Sequence, residues 1–194
     1  MRYIVLITFC ICTICNANQQ HTSKHGGHKS YLPDTTINKK LVLRNWQSIE
    51  REFGDIMSLV KDSDDGPFVY FKNKTGTEYL KMYFFPGNIV NEFSFFEIGK
   101  MSDKVKPLVH ESKFKSFYTE SGIGLGITKA QLIAIKGDFF RDSTKNGFTI
   151  LKYEIDNSGN SKYLKRHKEF AYLAEFFFDH HGRLARIRFG FEYP

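Results

Sequence analysis

The stretch FFFDHHGRLARIRF, residues 176–189, contains the clearest structural signal in the chain. Aromatic and aliphatic residues flank a His-His-Gly turn, a pattern that predicts a β-hairpin. A two-residue loop at this turn would place Ala174 opposite Ile187 and Glu175 opposite Arg186. Because side chains alternate between the two sides of a strand, this register predicts one apolar face and one charged face.

Runs of aromatic and β-branched residues between glycine-containing turns predict further strands. The predicted strands are residues 68–71, 78–85, 89–96, 148–155, 169–178 and 183–191. A loop at Gly87-Asn88 would place Met82 opposite Phe93, and it would put Phe96 on the reverse face with the tyrosines of the preceding strand. Residues 101–121 form a connector that predicts either a helix or an edge strand.

Two segments predict short helices with similar boundaries. They are LVLRNWQSIEREFGD, residues 41–55, and GLGITKAQLIAIKGD, residues 124–138. Asn45 and Thr128 are suited to cap these helices, because their side chains accept hydrogen bonds from the free amides of a first turn. Gly54 and Gly137 follow about two turns later and are suited to end them.

Each predicted helix has an apolar face. Helical spacing aligns Trp46, Ile49 and Phe53 in the first helix, and Leu132 and Ile135 in the second. Apolar residues with helical spacing continue beyond the first glycine, which leaves open a helix that extends to about residue 61.

These elements predict an α+β fold built from two related helix-plus-antiparallel-sheet units in tandem. Residues 34–100 form the first predicted unit and residues 122–194 the second, joined by the connector at residues 101–121.

The second unit carries GIGLGITKAQLIAIKG at residues 122–137 and ends in the hairpin at residues 176–189. This pattern resembles secreted bacterial proteins with the β-lactamase-inhibitor-protein-like fold, a superfamily that includes the small lipoprotein of the outer-membrane protein assembly machine. The resemblance covers residues 122–191 well and residues 37–96 weakly, where Leu43 stands in place of the glycine found at position 126. It implies that the open face of the sheet binds another protein.

The N-terminus has the features of a secretory signal. Arg2 precedes an apolar run at residues 3–15, which is too short to span a bilayer, and a small residue follows at Ala17. We therefore expect a signal peptide at residues 1–17, a polar and flexible His-rich tail at residues 18–33, and a periplasmic or secreted protein. A buried N-terminal strand is the alternative.

All three cysteines, Cys10, Cys12 and Cys15, lie within the predicted signal. The mature chain would therefore form no disulfide and use no thiol chemistry. Some members of the superfamily that this chain resembles have disulfides, and the mature chain would differ from them in having none. A large apolar residue precedes each cysteine, which disfavours lipidation without excluding it.

The chain carries a formal charge of +7, which would fall to +6 after loss of Arg2. Its lysines are scattered, and no nucleic-acid-binding motif is present. The charge fits either weak contact with acidic surfaces or a solvated surface that keeps the protein soluble. We expect no nucleic-acid partner.

Candidate metal sites are weak. His21, His25 and His28 lie in the tail, where closing a flexible segment on a metal loses much entropy. His180 and His181 are adjacent in a tight turn and would need His167 as a third ligand. The run Asp62-Ser63-Asp64-Asp65-Gly66 lacks the spacing of a calcium loop. We predict no metal and no cofactor.

No catalytic motif stands out. Gly122, Gly124 and Gly126 alternate without the lysine and hydroxyl residue of a phosphate-binding loop. No serine lies in a nucleophile elbow, and no HExxH sequence occurs. We therefore predict no catalytic residue and a non-enzymatic protein.

The remaining candidates are aromatic and basic residues on the outward faces of the two hairpins, types that are enriched at protein interfaces. The predicted binding residues are Tyr79, Tyr83, Phe85, Phe96, Arg186 and Arg188. They predict an exported protein-binding module, such as an inhibitor, an immunity-type factor or an envelope-assembly component.

Three alternatives stay open for these residues. The connector or the neighbouring half of the chain could cover them, which would make their role structural. An aromatic pocket between the halves would favour a small-ligand or glycan-binding module. Histidines and carboxylates clustered in a cleft would favour a hydrolase.

Overall fold

The computed structural model describes residues 31–64, 66–84, 93–156 and 161–192. Within these ranges the chain is mostly β, with one sheet of eight strands, a separate sheet of two strands, and three short helices. The prediction of an α+β fold with two helix-plus-sheet units in tandem is therefore wrong.

Short helices separate groups of two to four strands along the described chain. In chain order they are β1 (Thr36–Ile37), β2 (Leu41–Val42), α1 (Trp46–Phe53), β3 (Phe68–Lys72), β4 (Glu78–Phe84), β5 (Phe93–Lys100), β6 (Val109–Glu111), α2 (Lys129–Lys136), β7 (Arg141–Lys145), β8 (Phe148–Ile155), α3 (Lys162–His167), β9 (Ala171–Phe178) and β10 (Leu184–Glu192).

The eight-stranded sheet has the strand order β6-β3-β4-β5-β10-β9-β8-β7. Its strand pairs are antiparallel except for β3 and β6, which are parallel. β5 pairs directly with β10, from Gly99 opposite Arg186 to Phe95 opposite Gly190. This pairing explains why two tandem units are not seen: the strands from both halves of the chain continue into one sheet and share one core.

The predicted helix boundaries of α1 and α2 are confirmed. Asn45 Oδ1 accepts a hydrogen bond from the backbone amide of Ser48 at 2.9 Å, and Thr128 forms a capping box with Gln131. Gly54 and Gly137 end the two helices with φ angles of 75° and 82°, which a residue with a Cβ rarely adopts. The extension of the first helix is not seen, since a separate 3₁₀ turn spans Met57–Leu59.

The buried face of α2 differs from the predicted one. Leu132 is fully buried, but Ile135 is 48% exposed and Lys136 is buried instead. Lys136 Nζ lies 2.7 Å from Asp34 Oδ2 and donates to the backbone oxygen of Leu32 at 2.6 Å. Burial lowers the pKa of Lys136, and the Asp34 carboxylate opposes that effect. This ion pair ties the segment before β1 to the end of α2.

Aromatic contacts hold the same segment against the sheet. The Tyr31 ring stacks on Tyr153 with 4.8 Å between centroids. The Tyr172 hydroxyl donates to the backbone oxygen of Asp34 at 2.7 Å. The packed body therefore includes Tyr31, a residue of the predicted tail at residues 18–33.

The last hairpin has the predicted faces but not the predicted register. Ile187 lies opposite Phe176, and Arg188 lies opposite Glu175, so the pairing is displaced by two residues from the predicted one. The loop is longer than two residues, because Asp179 Oδ1 accepts hydrogen bonds from the amides of His181 and Arg183, both at 3.0 Å. An even displacement keeps the side chains of residues 186–189 on their predicted sides of the sheet. A register irregularity between Leu184 and Arg186 places Leu184 in the core, opposite Phe178.

The pairing of β4 with β5 overturns the predicted faces. Met82 lies opposite Phe96 and Tyr83 opposite Phe95, whereas the sequence predicted Met82 opposite Phe93. This displacement is odd, so it moves Phe96 to the same side as Met82. Phe96 is fully buried there and meets Phe189 edge to face at 5.8 Å.

Several short elements were not predicted from the sequence: β1, β2, β7 and α3. β7 is largely exposed and has the polar sequence RDSTK, which lacks an apolar alternation. The connector contains a 3₁₀ turn at Lys106–Leu108 and then β6, which confirms the predicted edge strand.

Candidate functional site

One side of the eight-stranded sheet carries aromatic rings interleaved with charged side chains. Buried residues of all three helices, Ile49, Leu132 and Leu164, belong to the core cluster on the other side. We call the first side the aromatic face. Its main members are Phe68, Tyr70, Tyr79, Lys81, Tyr83, Phe95, Glu97, Phe148, Glu175, Phe177, Arg186 and Arg188.

The centre of the aromatic face is closely packed. Tyr79 and Phe95 are each 7% exposed, although neither belongs to the core cluster. The Tyr70 ring meets the rings of Phe68 and Tyr79 edge to face, with 5.4 Å between centroids in both pairs. Tyr83, Arg186 and Arg188 are less buried, and they form the part of the face that a second molecule can reach.

Glu97 lies at the middle of this arrangement and is 7% exposed. The Tyr79 hydroxyl donates to Glu97 Oε1 at 2.6 Å, and the Tyr83 hydroxyl donates to Oε2 at 3.1 Å. Burial and then the Glu97 carboxylate raise the pKa of both tyrosines. The same causes, in the same order, raise the pKa of Tyr70 to about 12. All three hydroxyls therefore stay protonated at neutral pH, and those of Tyr79 and Tyr83 act as donors to Glu97.

Lys81 lies directly opposite Glu97 on the neighbouring strand and is 9% exposed. Its ammonium group is surrounded by rings, at 3.8 Å from the centroid of Tyr83, 4.6 Å from Phe68 and 5.4 Å from Tyr70. The negative faces of aromatic rings attract a cation at such distances, and the attraction increases where water is excluded.

Two arginines of β10 lie over rings on the same face. The Arg186 guanidinium is 3.8 Å from the ring centroid of Phe177. The Arg188 guanidinium is 4.9 Å from that of Phe95, and its Nη1 lies 3.8 Å from Glu175 Oε2. The side chain of Arg188 is 41% exposed, so part of this guanidinium contacts solvent.

Two glycines leave room for these rings. A Cβ on Gly99 would lie 2.4 Å from the Tyr79 ring, which covers this glycine. A Cβ on Gly190 would lie 2.0 Å from the backbone oxygen of Ser94. Glycine within a strand often marks such a close approach.

The structure brings together four of the residues that the sequence predicted for binding. Tyr79, Tyr83, Arg186 and Arg188 share the aromatic face. Phe96 does not belong to it, because the register of β4 and β5 places this ring in the core. Phe85 lies outside the described residues.

The sequence prediction left Lys81, Glu97 and Phe177 out of the site. The predicted register of β4 and β5 did not place Glu97 opposite Lys81, so the sequence did not indicate that these two side chains are neighbours. The glycines at positions 99 and 190 were the available signal, since a glycine inside an aromatic strand indicates a neighbouring ring or backbone.

A second candidate region is an open depression of about 560 Å³ where β4 and β5 meet the loop before α2. The residues that line it are Gly76, Thr77, Glu78, Lys100, Met101, Lys106, Leu125 and Gly126. No aromatic ring is among them, so this depression does not have the chemistry expected of an aromatic ligand pocket between the halves.

The histidines and carboxylates do not gather into a metal site in the part of the chain that can be described. Across residues 31–64, 66–84, 93–156 and 161–192, no three His, Cys, Asp or Glu side chains are grouped so that they could hold a metal ion. His180 and His181 lie 3.8 Å apart by ring centroid, while His167 lies against Tyr163. The tail histidines at positions 21, 25 and 28 lie outside the described ranges.

In the part of the chain that the structure describes, no helix is long and apolar enough to cross a membrane. When the chain is compared with protein-family models, curated proteins and solved structures, none of them matches it.

Proposed function

We propose that this chain is an exported, non-enzymatic protein-binding module that contacts its partner through the aromatic face. The observation that carries the proposal is the surface formed by Tyr83, Arg186 and Arg188 around a buried network at Glu97. Tyrosine and arginine contribute most often to binding energy at protein interfaces, because each combines a large contact area with hydrogen-bond donors.

The rigidity of this surface supports the same role. Hydrogen bonds from Tyr79 and Tyr83 to Glu97 hold the two rings, and the ring of Phe177 holds the guanidinium of Arg186. Side chains that are already ordered lose less entropy when a partner binds. The face is therefore prepared for recognition before contact.

The described helices leave this face available. α1, α2 and α3 all contribute buried residues to the core on the opposite side. A protein partner with a flat or convex surface could approach the six central strands without displacing any of these helices. An inhibitor, an immunity-type factor and an envelope-assembly component would all use such a surface.

Export is the second part of the proposal and rests on residues 1–17. We expect the mature protein to begin at Asn18 and to be recovered from the periplasm or the medium of its host. Fractionation of the host followed by mass measurement of the recovered chain tests this. Recovery of the full-length chain from the cytoplasm would contradict it.

The binding role is tested by capture of partners from an envelope extract of the host. The baits are the mature protein, Tyr83→Ala and Arg186→Ala, with Tyr118→Ala and Arg166→Ala as matched controls. Tyr118 is 38% exposed, Arg166 is exposed on α3, and both lie outside the aromatic face. We expect one protein to be retained by the wild type and both controls and lost from both face variants.

Two outcomes would overturn the proposal. A partner that both face variants retain as well as the wild type does would exclude the aromatic face as the site. Retention of no protein, combined with binding to a glycan array that depends on Tyr83, would replace the protein partner with a carbohydrate.

A further inference from the structure

Hydrogen-bonding and ionic partners on the aromatic face are unevenly distributed. Glu97 accepts from two tyrosines, and Glu175 pairs with Arg188. Glu154 of the same sheet is paired with Lys152 and Arg141. Among the described residues, Arg186 has neither a hydrogen bond nor an ion pair, and its contacts are to the rings of Phe177 and Phe148.

The Nε groups of Arg186 and Arg188 are both buried and lack an acceptor within the described part of the chain. A buried donor without an acceptor loses its hydrogen bond to water without a replacement, which is costly and therefore uncommon. An atom that water does not reach is also closed to a second molecule, so a partner would contact the outer nitrogens of these guanidinium groups. Arg186 is half-buried, and the side chain of Arg188 is 41% exposed.

The geometry of the arginines defines the acceptor. A guanidinium that lies flat on a ring keeps its N–H groups at its edge, where they match the two oxygens of a carboxylate. Arg186 and Arg188 are two residues apart, so they point to the same side of the sheet with about 7 Å between their Cα atoms. The outer nitrogens of both guanidinium groups can therefore reach one acidic side chain.

We propose that Arg186, assisted by Arg188, binds a carboxylate of an acidic side chain on the partner protein. This inference rests on the proposed function and names the chemistry of the contact. The surrounding rings favour a protein over a free anion, because a partner that covers Tyr83 and Phe148 buries apolar area together with the ion pair.

Titration of the full mature protein with poly-L-glutamate tests the inference. Arginine Nε–H signals are followed by nuclear magnetic resonance and assigned with the variants Arg186→Lys and Arg188→Lys. We expect the Arg186 signal to shift and saturate. Arg186→Lys keeps the charge but loses the planar donor edge, so it should weaken binding about tenfold.

Arg166→Lys on α3 is the matched control, and inorganic phosphate at equal ionic strength is the comparison anion. The inference is overturned if Arg186→Lys binds poly-L-glutamate as the wild type does, or if the control weakens binding equally. It is also overturned if phosphate shifts the Arg186 signal and poly-L-glutamate does not. Circular dichroism and thermal melting confirm that each variant is folded.

The same variants separate this inference from the proposed function. A host protein that is lost from Tyr83→Ala but retained by Arg186→Lys would leave the protein-binding role intact and remove the carboxylate contact. Poly-L-glutamate binding that depends on Arg186, with no host protein that depends on Tyr83, would support the carboxylate contact and contradict the protein-binding role.

Discussion

Phe95 and Phe96 are neighbours in β5, and their surroundings differ completely. Phe96 is fully buried and meets another ring, Phe189, edge to face at 5.8 Å. Phe95 points to the opposite side, where the guanidinium of Arg188 lies 4.9 Å from its centroid. The helix side of the sheet is held by contacts between apolar groups, whereas the aromatic face combines rings with charges.

This difference indicates that the two sides of the sheet contribute differently to stability and to specificity. Apolar area removed from water contributes most of the stability, and it accumulates where helices cover the strands. Charged groups placed among rings contribute less to stability but provide direction and specificity. Substitutions on the two sides should therefore affect stability and binding in opposite proportions.

The largest expected effect comes from the paired variants Phe96→Ala and Phe95→Ala. Phe96→Ala removes a fully buried ring and leaves a cavity, so we expect a loss of about 4 kcal/mol in the free energy of unfolding. Phe95→Ala should lose about 2 kcal/mol, because the long side chain of Arg188 over this ring can shift into the gap and reduce the cavity cost. Urea unfolding measures the free energy of unfolding of both variants. Equal losses would contradict the stated difference between the two sides of the sheet.

The two strand glycines give the next comparison. Gly190→Ala would press a methyl group against the backbone oxygen of Ser94, which cannot move without separating the strands. We expect a loss of about 3 kcal/mol. Gly99→Ala would displace only the outer part of the Tyr79 ring and should lose about 1 kcal/mol. Thermal unfolding ranks the two variants, and the reverse order would show that the ring is the less adaptable neighbour.

A third variant, Tyr79→Phe, removes a hydrogen bond to Glu97. We expect a loss of about 2 kcal/mol at pH 7, since the substitution leaves a buried acceptor without its donor. Tyr118→Phe, at an exposed tyrosine, is the control. Urea unfolding at pH 7 measures both, and an unchanged Tyr79→Phe would mean that water replaces the lost donor.

The same tyrosine makes stability depend on alkaline pH. Burial, followed by the Glu97 carboxylate, raises the pKa of Tyr79 above its ordinary value of 10.0. The folded state therefore keeps a proton that the unfolded state loses, so stability is fully present below pH 10 and declines above it. Each such tyrosine contributes about 1.4 kcal/mol per pH unit. Between pH 9.5 and 11, Tyr79→Phe should lose stability less steeply than the wild type, and parallel curves would contradict this.

The smallest expected effect is that of Lys81→Met. The substitution removes a cation from among three rings but keeps an unbranched side chain that can fill the space. We expect a loss of about 1 kcal/mol. Lys145→Met, on the exposed edge strand β7, is the control and should change stability little. A Lys81→Met protein as stable as the control would show that the ammonium group contributes nothing net.

Local features of the fold were predictable, because their causes lie within a few residues. Asn45 and Thr128 cap the helices that follow them, and Gly54 and Gly137 end those helices. The strand at residues 148–155 was predicted to the residue for the same reason, since aromatic, aliphatic and β-branched residues are concentrated between two turns. The edge strand β7 was missed because its polar sequence RDSTK has no such residues except Thr144.

The candidate site was predictable only in part. Arg186 and Arg188 were placed on the correct face of the last hairpin, because an even displacement of register leaves faces unchanged. Phe96 was placed on the wrong face, because the pairing of β4 with β5 is displaced by an odd number. The partnership of Glu97 with Tyr79 follows from that pairing and could not be foreseen without it.

The sequence alone determined the capped helices α1 and α2 and the approximate positions of the long strands, since these depend on neighbouring residues. It also determined that aromatic and basic side chains alternate along the strands. Only the tertiary structure decided that β5 and β10 pair, so that all the large strands form one sheet instead of two units. Strand pairing depends on contacts between residues far apart in the chain, and a displacement of one residue exchanges the core with the aromatic face.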